Sequence, residues 1–282
     1  MAAPFELFPF FSEIKSDLDS IFKTIMEAKS VTLVSEPKLN QLVSVSFLEA
    51  SFLDNGILYH RKLVEHIEDY IPKDENLHIF FNEEAHNNHS VKIIPSKEIT
   101  LSLGQNNTPR IGKLDIVGMS GCLALMIGKT RVERLLPLIL AGNWLRANLD
   151  FTYDPVFTSL RDSLEKSGNI SVVSIAEISE PDLIELPGID SNKLNKLRDD
   201  WTNIDLETQS ERLSQIVKPL LKSSIGVARL EELIWHRVIR KDWNSDLASQ
   251  CSKSQRELKS SSQKLVSASR LVDEIIRSGK LL

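Results

Sequence analysis

Residues 31–64 read VTLVSEPKLNQLVSVSFLEASFLDNGILYHRKLV. Val31-Thr32-Leu33-Val34 is a short, largely β-branched run of the kind that makes a buried parallel strand. After a polar loop, Leu39, Leu42, Val43, Val45, Ser46 and Leu53 outline a helix, and Asn55-Gly56 is a natural C-cap for it. Ile57-Leu58-Tyr59-His60 then reads as a second strand. A strand, a helix and a strand in this order imply a right-handed crossover between parallel neighbours.

Working outward, residues 11–29 place Phe11, Ile14, Leu18, Ile21, Phe22 and Ile25 at helical spacing. Leu77–Phe81 and Val91–Ile94 resemble two more strands, with a polar loop between them, and Leu114–Val117 a further short one. From about Ser120 the pattern changes to helices, over 119–147, 155–168, 208–222 and 226–242, with no later run of strands. Ser245–Gly279 contains no internal Pro or Gly. Its apolar positions Leu247, Cys251, Leu258, Leu265, Ala268, Val272 and Ile275 follow a heptad-like seam, weakened by Ser254 and Ser261. This predicts one long helix, either docked on its own domain or offered to a partner. The expected fold class is α/β: a mostly parallel sheet flanked by helices, a helical second half and a long C-terminal helix. The expected divisions are an α/β domain over 1–170, a helical region over 171–244 and the long helix over 245–282.

The chain has 282 residues, 41% hydrophobic and 26% charged, with a formal net charge of −5. Such a balance excludes collagenous, disordered and disulfide-scaffold classes. It also disfavours nonspecific nucleic-acid binding over the whole surface, which needs many cations against phosphates. Cys122 and Cys251 lie far apart and suggest two ordinary thiols in a reducing compartment. No segment is apolar for the length of a membrane span, and residues 1–11 lack the basic start of a signal peptide. The expectation is a soluble, cytoplasmic protein without membrane contact.

The loop after the first strand, Ser35-Glu36-Pro37-Lys38-Leu39-Asn40-Gln41, lies where α/β folds bind ligands. Its own chemistry is poor in metal donors, with one carboxylate where several should converge. Residues 31–64 resemble the first motif of the DHH phosphoesterase superfamily, in which an apolar strand ends in Ser-His-x-Asp-x-Asp-Gly and feeds a helix. The likeness is to the RecJ nucleases and the cell-division-cycle branch that serves replicative helicases, and it spans roughly residues 30–170. Laid over that pattern, the family's histidine falls on Glu36, its aspartates on Lys38 and Asn40, and its glycine on Gln41. The second motif's aspartate falls on Asn82, and the Asp-His-His triplet near Pro95, Ser96 and Lys97. The fourth motif resembles Ala141-Gly142-Asn143, with Arg146 in the acid's place.

The resemblance implies a degenerate, catalytically inactive DHH-like domain without metal or other cofactor, since cations at Lys38, Lys97 and Arg146 repel a metal ion. It implies an archaeal scaffold in DNA replication that binds the GINS complex and the MCM helicase, with single-stranded DNA as a further contact. The family's second, glycine-rich domain has no counterpart after residue 170.

Other groupings carry other chemistry. Glu83, Glu84, His86 and His89 have a spacing that could grip zinc, or form a solvated loop. Glu36, Glu83, His86 and His89 would be the remade ligands of an active metal-dependent phosphoesterase, the alternative to a scaffold. Gly128-Lys129-Thr130 resembles the tail of a phosphate-binding loop without its first glycine, and is read as a helix break with Thr130 as N-cap; Ser120 is read as another N-cap. Leu183–Asp190 followed by Ser191–Arg198 resembles a helix-hairpin-helix, with Asp190 where glycine is usual. Lys129, Arg131 and Arg134 form one basic cluster. Arg229, His236, Arg237, Arg240 and Lys241 accompany Trp235 and Trp243, and on a helix over 226–243 Arg229, His236 and Arg240 share a face. Aromatics among cations suit single-stranded nucleic acid, while a solvated helix face with core tryptophans is the plainer alternative.

Overall fold

The computed structural model describes residues 4–72, 75–81, 91–94, 96–103, 106, 108–146 and 153–281. The predicted first helix is a 3-10 turn at Pro9–Ile14 followed by α2 (Lys15–Glu27), after a short α1 (Pro4–Leu7). Then come β1 (Val31–Ser35), α3 (Leu39–Asn55) and β2 (Tyr59–Leu63), the last two residues later than the sequence suggested. α3 ends at Gly56, whose φ of +66° is the left-handed conformation a glycine C-cap supplies. With β3 (Leu77–Phe80) and β4 (Val91–Ile93) the strands form a four-stranded parallel sheet in the order β2-β1-β3-β4. Val31 pairs with Tyr59 on one side and with Leu77 on the other. The chain is thus mixed α/β with a small parallel sheet flanked by helices, as expected.

The two faces of that sheet are covered differently. Side chains alternate along β1, so Val31 and Leu33 enter the main core with α3, whereas Val34 joins a separate small cluster with Ile67 and Phe80. That second face is covered by the segment after β2, where Val64 and Tyr70 flank a 3-10 turn at Ile67–Asp69. α3 is buried along almost its whole length, including Ser44, Ser46 and Ser51, which donate to the carbonyls of Asn40, Leu42 and Leu48. Back-bonding of this kind lets hydroxyls enter a core at little cost.

A hairpin that the sequence reading missed follows: β5 (Lys97–Leu103) and β6 (Thr108–Leu114) are antiparallel, with Ile99 and Leu101 buried. Leu114 therefore ends a strand, and the proposed strand at 114–117 is corrected. Asp115 accepts from the Val117 and Gly118 amides (2.7 and 3.0 Å) and so starts α4 (Ile116–Ile127). Ser120 lies inside α4, so Asp115 takes the capping role assigned to it. The long helix predicted over 119–147 is divided into α4, α5 (Thr130–Leu135), a 3-10 turn at Leu136–Ile139 and α6 (Leu140–Trp144). The N-cap of α5 is Lys129 rather than Thr130, and Pro137 falls where the second break occurs.

α7 (Pro155–Lys166) is as expected, capped by Asp154. β7 (Ser171–Val173) pairs antiparallel with β8 (Arg237–Ile239), a ribbon where only helices were anticipated. Between them lie α8 (Ser191–Asp200), α9 (Leu206–Val217) and α10 (Val227–Ile234). No helix precedes Asp190 in the 183–190 segment, so the helix-hairpin-helix is corrected: Asp190 itself caps α8, accepting from the Asn192 and Lys193 amides. The C-terminal stretch is two helices, α11 (Leu247–Ser260) and α12 (Lys264–Ser278), broken at residues 261–263. Both fold back on the domain. Arg61 of β2 donates to the carbonyl and hydroxyl of Ser269 and pairs with Asp273 on α12. Cys122 and Cys251 are both buried, and burial pushes both thiols up. Among the described residues no helix is long and apolar enough to cross a membrane.

Candidate functional site

In a parallel sheet, ligands gather beyond the carboxyl ends of the strands, where the chain order reverses. Here that point lies beside β1, which connects through α3 to β2 on one side and pairs with β3 on the other. The residue leaving β1 is Glu36, 5% exposed. Gln41, in the first turn of α3, holds it from both ends: the Glu36 amide donates to Gln41 Oε1 (2.8 Å), and Gln41 Nε2 donates to Glu36 Oε2 (3.2 Å). Lys38 Nζ donates to the same oxygen at 2.8 Å, with its side chain 60% exposed. Lys38 stands at the N-cap position of α3 without a side-chain cap.

Beyond Lys38 opens a cleft of about 400 Å³. It is lined by Lys38, Asn40, Gly142, Arg146, Gln255 and Lys259, together with apolar neighbours. The structure thus brings Lys38 and Asn40 together with Gly142 and Arg146, a pair more than a hundred residues further along the chain, and adds Gln255 and Lys259 from α11. No carboxylate is among the described residues that line this cleft. Arg146 is anchored from behind, donating to the Lys113 carbonyl (2.8 Å) and pairing with Asp154 (2.9 Å). Gly142 is required here, because a Cβ would collide with the Asp115 carboxylate. Burial raises the Asp115 carboxyl to about 6, against the opposing pull of the Gly118 and Val117 amides and of Arg146.

Two further predicted positions stand apart. Lys97, at the start of β5, pairs with Asp17 of α2, and neither it nor Ser96 lines the cleft. Asn82, Pro95, Glu83, Glu84, His86 and His89 lie outside the described residues.

On the other side of Glu36, His66 and Glu68 approach from the segment after β2, and one ligand atom from each of the three lies within 4.8 Å of the others. The sequence reading passed over these two residues. Their His-x-Glu spacing directly after a strand was the available signal, but only the three-dimensional packing sets it against Glu36.

The cations proposed for nucleic acid are tied into the fold to different degrees. Because α10 ends at Ile234, Arg229, His236 and Arg240 do not share a helix face, a correction to the helix predicted over 226–242. Arg229 stacks on Trp144 at 3.7 Å and donates to its carbonyl and to Glu185. Arg237 is 1% exposed and donates to the Leu233 carbonyl (2.5 Å) and to Asp246 (2.8 Å). Arg240 pairs with Asp242 and reaches the carbonyls of Arg134 and Ser278. His236 Nδ1 lies 3.4 Å from Glu232, while Lys241 is exposed. Trp243 is buried, and Trp235 is half-buried.

No protein-family model matches the chain, and no curated protein is detectably similar to it in sequence.

Proposed function

We propose that the chain is a non-catalytic, degenerate DHH-like scaffold in a DNA-replication helicase assembly, with the GINS complex and the MCM helicase as partners and single-stranded DNA as a further contact. One observation carries this reading. The cleft at the end of β1 gathers Lys38, Asn40 and Arg146, the positions where the resemblance expects acids, and its described lining offers cations without a carboxylate. Two-metal phosphoryl chemistry needs several carboxylates to hold ions about 3.5–4 Å apart, and such a lining disfavours them. Exchange of acids for bases in a retained cleft favours binding over hydrolysis. The net charge of −5 favours docking against basic partners over capture of DNA by charge alone.

The test is co-purification of the full chain with GINS and MCM subunits, followed by a cleavage assay on single-stranded DNA in manganese. A stable complex without cleavage is the expected result. Cleavage that follows the protein through purification and is lost on Glu36→Gln would overturn the reading in favour of an active phosphoesterase. Failure to join either partner would remove the replication assignment while leaving the inactive cleft.

A further inference from the structure

We infer that Glu36, His66 and Glu68 form a binding site for a single divalent transition-metal ion, with zinc as the best-fitting class. The inference is independent of the scaffold reading and goes beyond it. The donors are one imidazole and two carboxylates from two segments that meet only in the fold. Their ligand atoms already lie within 4.8 Å of one another. A tetrahedral zinc ion with bonds of about 2.0–2.2 Å sets its donors roughly 3.4 Å apart. Closing the difference asks about an ångström of movement from His66 and Glu68, both exposed, the first preceding and the second lying within the 3-10 turn at Ile67–Asp69. Glu36 is the fixed member. It is 5% exposed, and the Gln41 amide bonds its carboxylate while the Gln41 oxygen takes its backbone N–H. Orientation of a ligand carboxylate by a neighbouring amide is the kind of support that metal sites use.

One of the donors also borders a cavity. His66 lines the cavity of about 870 Å³ on the second face of the sheet, together with His60, Lys62, Asp69 and Tyr70. The same cavity reaches Thr32, 5% exposed, whose hydroxyl has no hydrogen-bond partner among the described residues. A buried hydroxyl left unpaired costs free energy unless water or a ligand reaches it. Of the three donors only His66 borders this cavity, so it offers room for water or a small polar ligand on the imidazole side of the site. The donor set discriminates among ions: imidazole with carboxylates suits zinc, whereas magnesium prefers an all-oxygen shell. Lys38, bonded to Glu36 Oε2, is the built-in competitor and must yield part of that carboxylate when the ion binds.

The experiment uses the full chain, free of any histidine tag, treated with chelator and titrated calorimetrically with Zn²⁺, with Mg²⁺ as the control ion. The expected result is one Zn²⁺ per chain, no measurable Mg²⁺ binding, and affinity lowered about tenfold or more by His66→Ala and by Glu68→Gln. As a positioning residue, Gln41→Ala should weaken binding by about 10–100-fold. Lys38→Ala should leave affinity unchanged or raise it, because it frees the Glu36 oxygen. Both ligand substitutions are at exposed positions, and circular dichroism will show that the variants remain folded. No stoichiometric Zn²⁺ binding, unchanged affinity in either ligand variant, or weaker binding after Lys38→Ala would each overturn the assignment.

Discussion

Two charged groups near the central sheet invite comparison. Beside β2, Glu49 of α3 is fully buried and receives Arg61 through two bonds of 2.6 Å, while the same guanidinium holds Asp273 and Ser269 of α12. At the end of β1, Glu36 is nearly as buried, yet its cation Lys38 is 60% exposed and reaches it through one oxygen. The first arrangement joins three elements and leaves no freedom for exchange. The second can release its lysine at small cost. Fully enclosed, multiply bonded charges hold a fold together, and half-open ones are where ligands compete.

Glu49→Ala is the strongest way to break this contrast. It takes the buried partner from the Arg61 guanidinium and leaves it only Asp273 and Ser269, so the cost should approach the about 3–5 kcal/mol of a broken buried pair. Burial raises the Glu49 carboxyl and the Arg61 bonds oppose that shift, so the pair stands or falls together. Urea unfolding monitored by circular dichroism measures the effect; a loss under about 1 kcal/mol would mean that Arg61 finds water instead.

Asp115 adds a charge that is buried with too little compensation. Its carboxyl is raised to about 6 from an ordinary value of 3.8, so the folded state holds the proton more tightly than the unfolded chain. Stability from this group is full below the unfolded value, falls as pH rises through the interval, and is flat above about 6. At roughly 1.4 kcal/mol per pKa unit the deficit at neutral pH is about 3 kcal/mol. Asp115→Asn keeps an acceptor for the Val117 and Gly118 amides and removes the charge. Its stability should match wild type near pH 4 and exceed it by up to that amount at pH 7.5. Equal pH profiles for the two proteins would show that Arg146 and the amides neutralise the carboxylate.

Much of the region around β1 could be read from the residues, and the reasons are local. Val31–Val34 is largely β-branched and followed by Pro37, and Asn55-Gly56 stops α3 because the chain needs φ of +66° there. The loop at the end of the strand was legible from the residues, whereas only the resemblance to the DHH motifs set Arg146 beside Lys38 and Asn40. What escaped depends on contacts distant in sequence. Ser261-Ser262-Gln263 contains neither Gly nor Pro, and the break between α11 and α12 accompanies the fit of α12 against α3 and the grip of Arg61 on Ser269. Arg237-Val238-Ile239 suits helix or strand equally, and pairing with Ser171–Val173 decides it. β5 had the alternation of a strand in Ile99 and Leu101, and that period was overlooked. His66 and Glu68 look like ordinary surface residues until the fold sets them against Glu36.

The two faces of the sheet differ as its two charge groups do, and neighbouring residues of β1 measure the difference. Leu33 lies in the main core under α3, whereas Val34 touches the small cluster of Ile67 and Phe80. Leu33→Ala should cost about 2–5 kcal/mol and Val34→Ala about 1–2 kcal/mol, beyond what the extra methylene in leucine explains. Equal losses in thermal or chemical unfolding would mean that the second face is as firmly covered as the first.

The smallest expected effect is the most informative about the site. Lys38→Ala removes a mostly exposed ammonium from Glu36, and pairs of this kind contribute at most about 1 kcal/mol, declining with salt. Glu36 keeps its bond from Gln41, so the variant should unfold within about 1 kcal/mol of wild type, and the gap should close on raising the ionic strength from 0.05 to roughly 0.5 M, where the Debye length drops below about 5 Å. If Lys38→Ala instead costs as much as Glu49→Ala, and salt does not change that, the lysine is a structural clamp. The end of β1 would then belong with the Glu49–Arg61 network, its carboxylate committed to the fold and closed to any incoming cation.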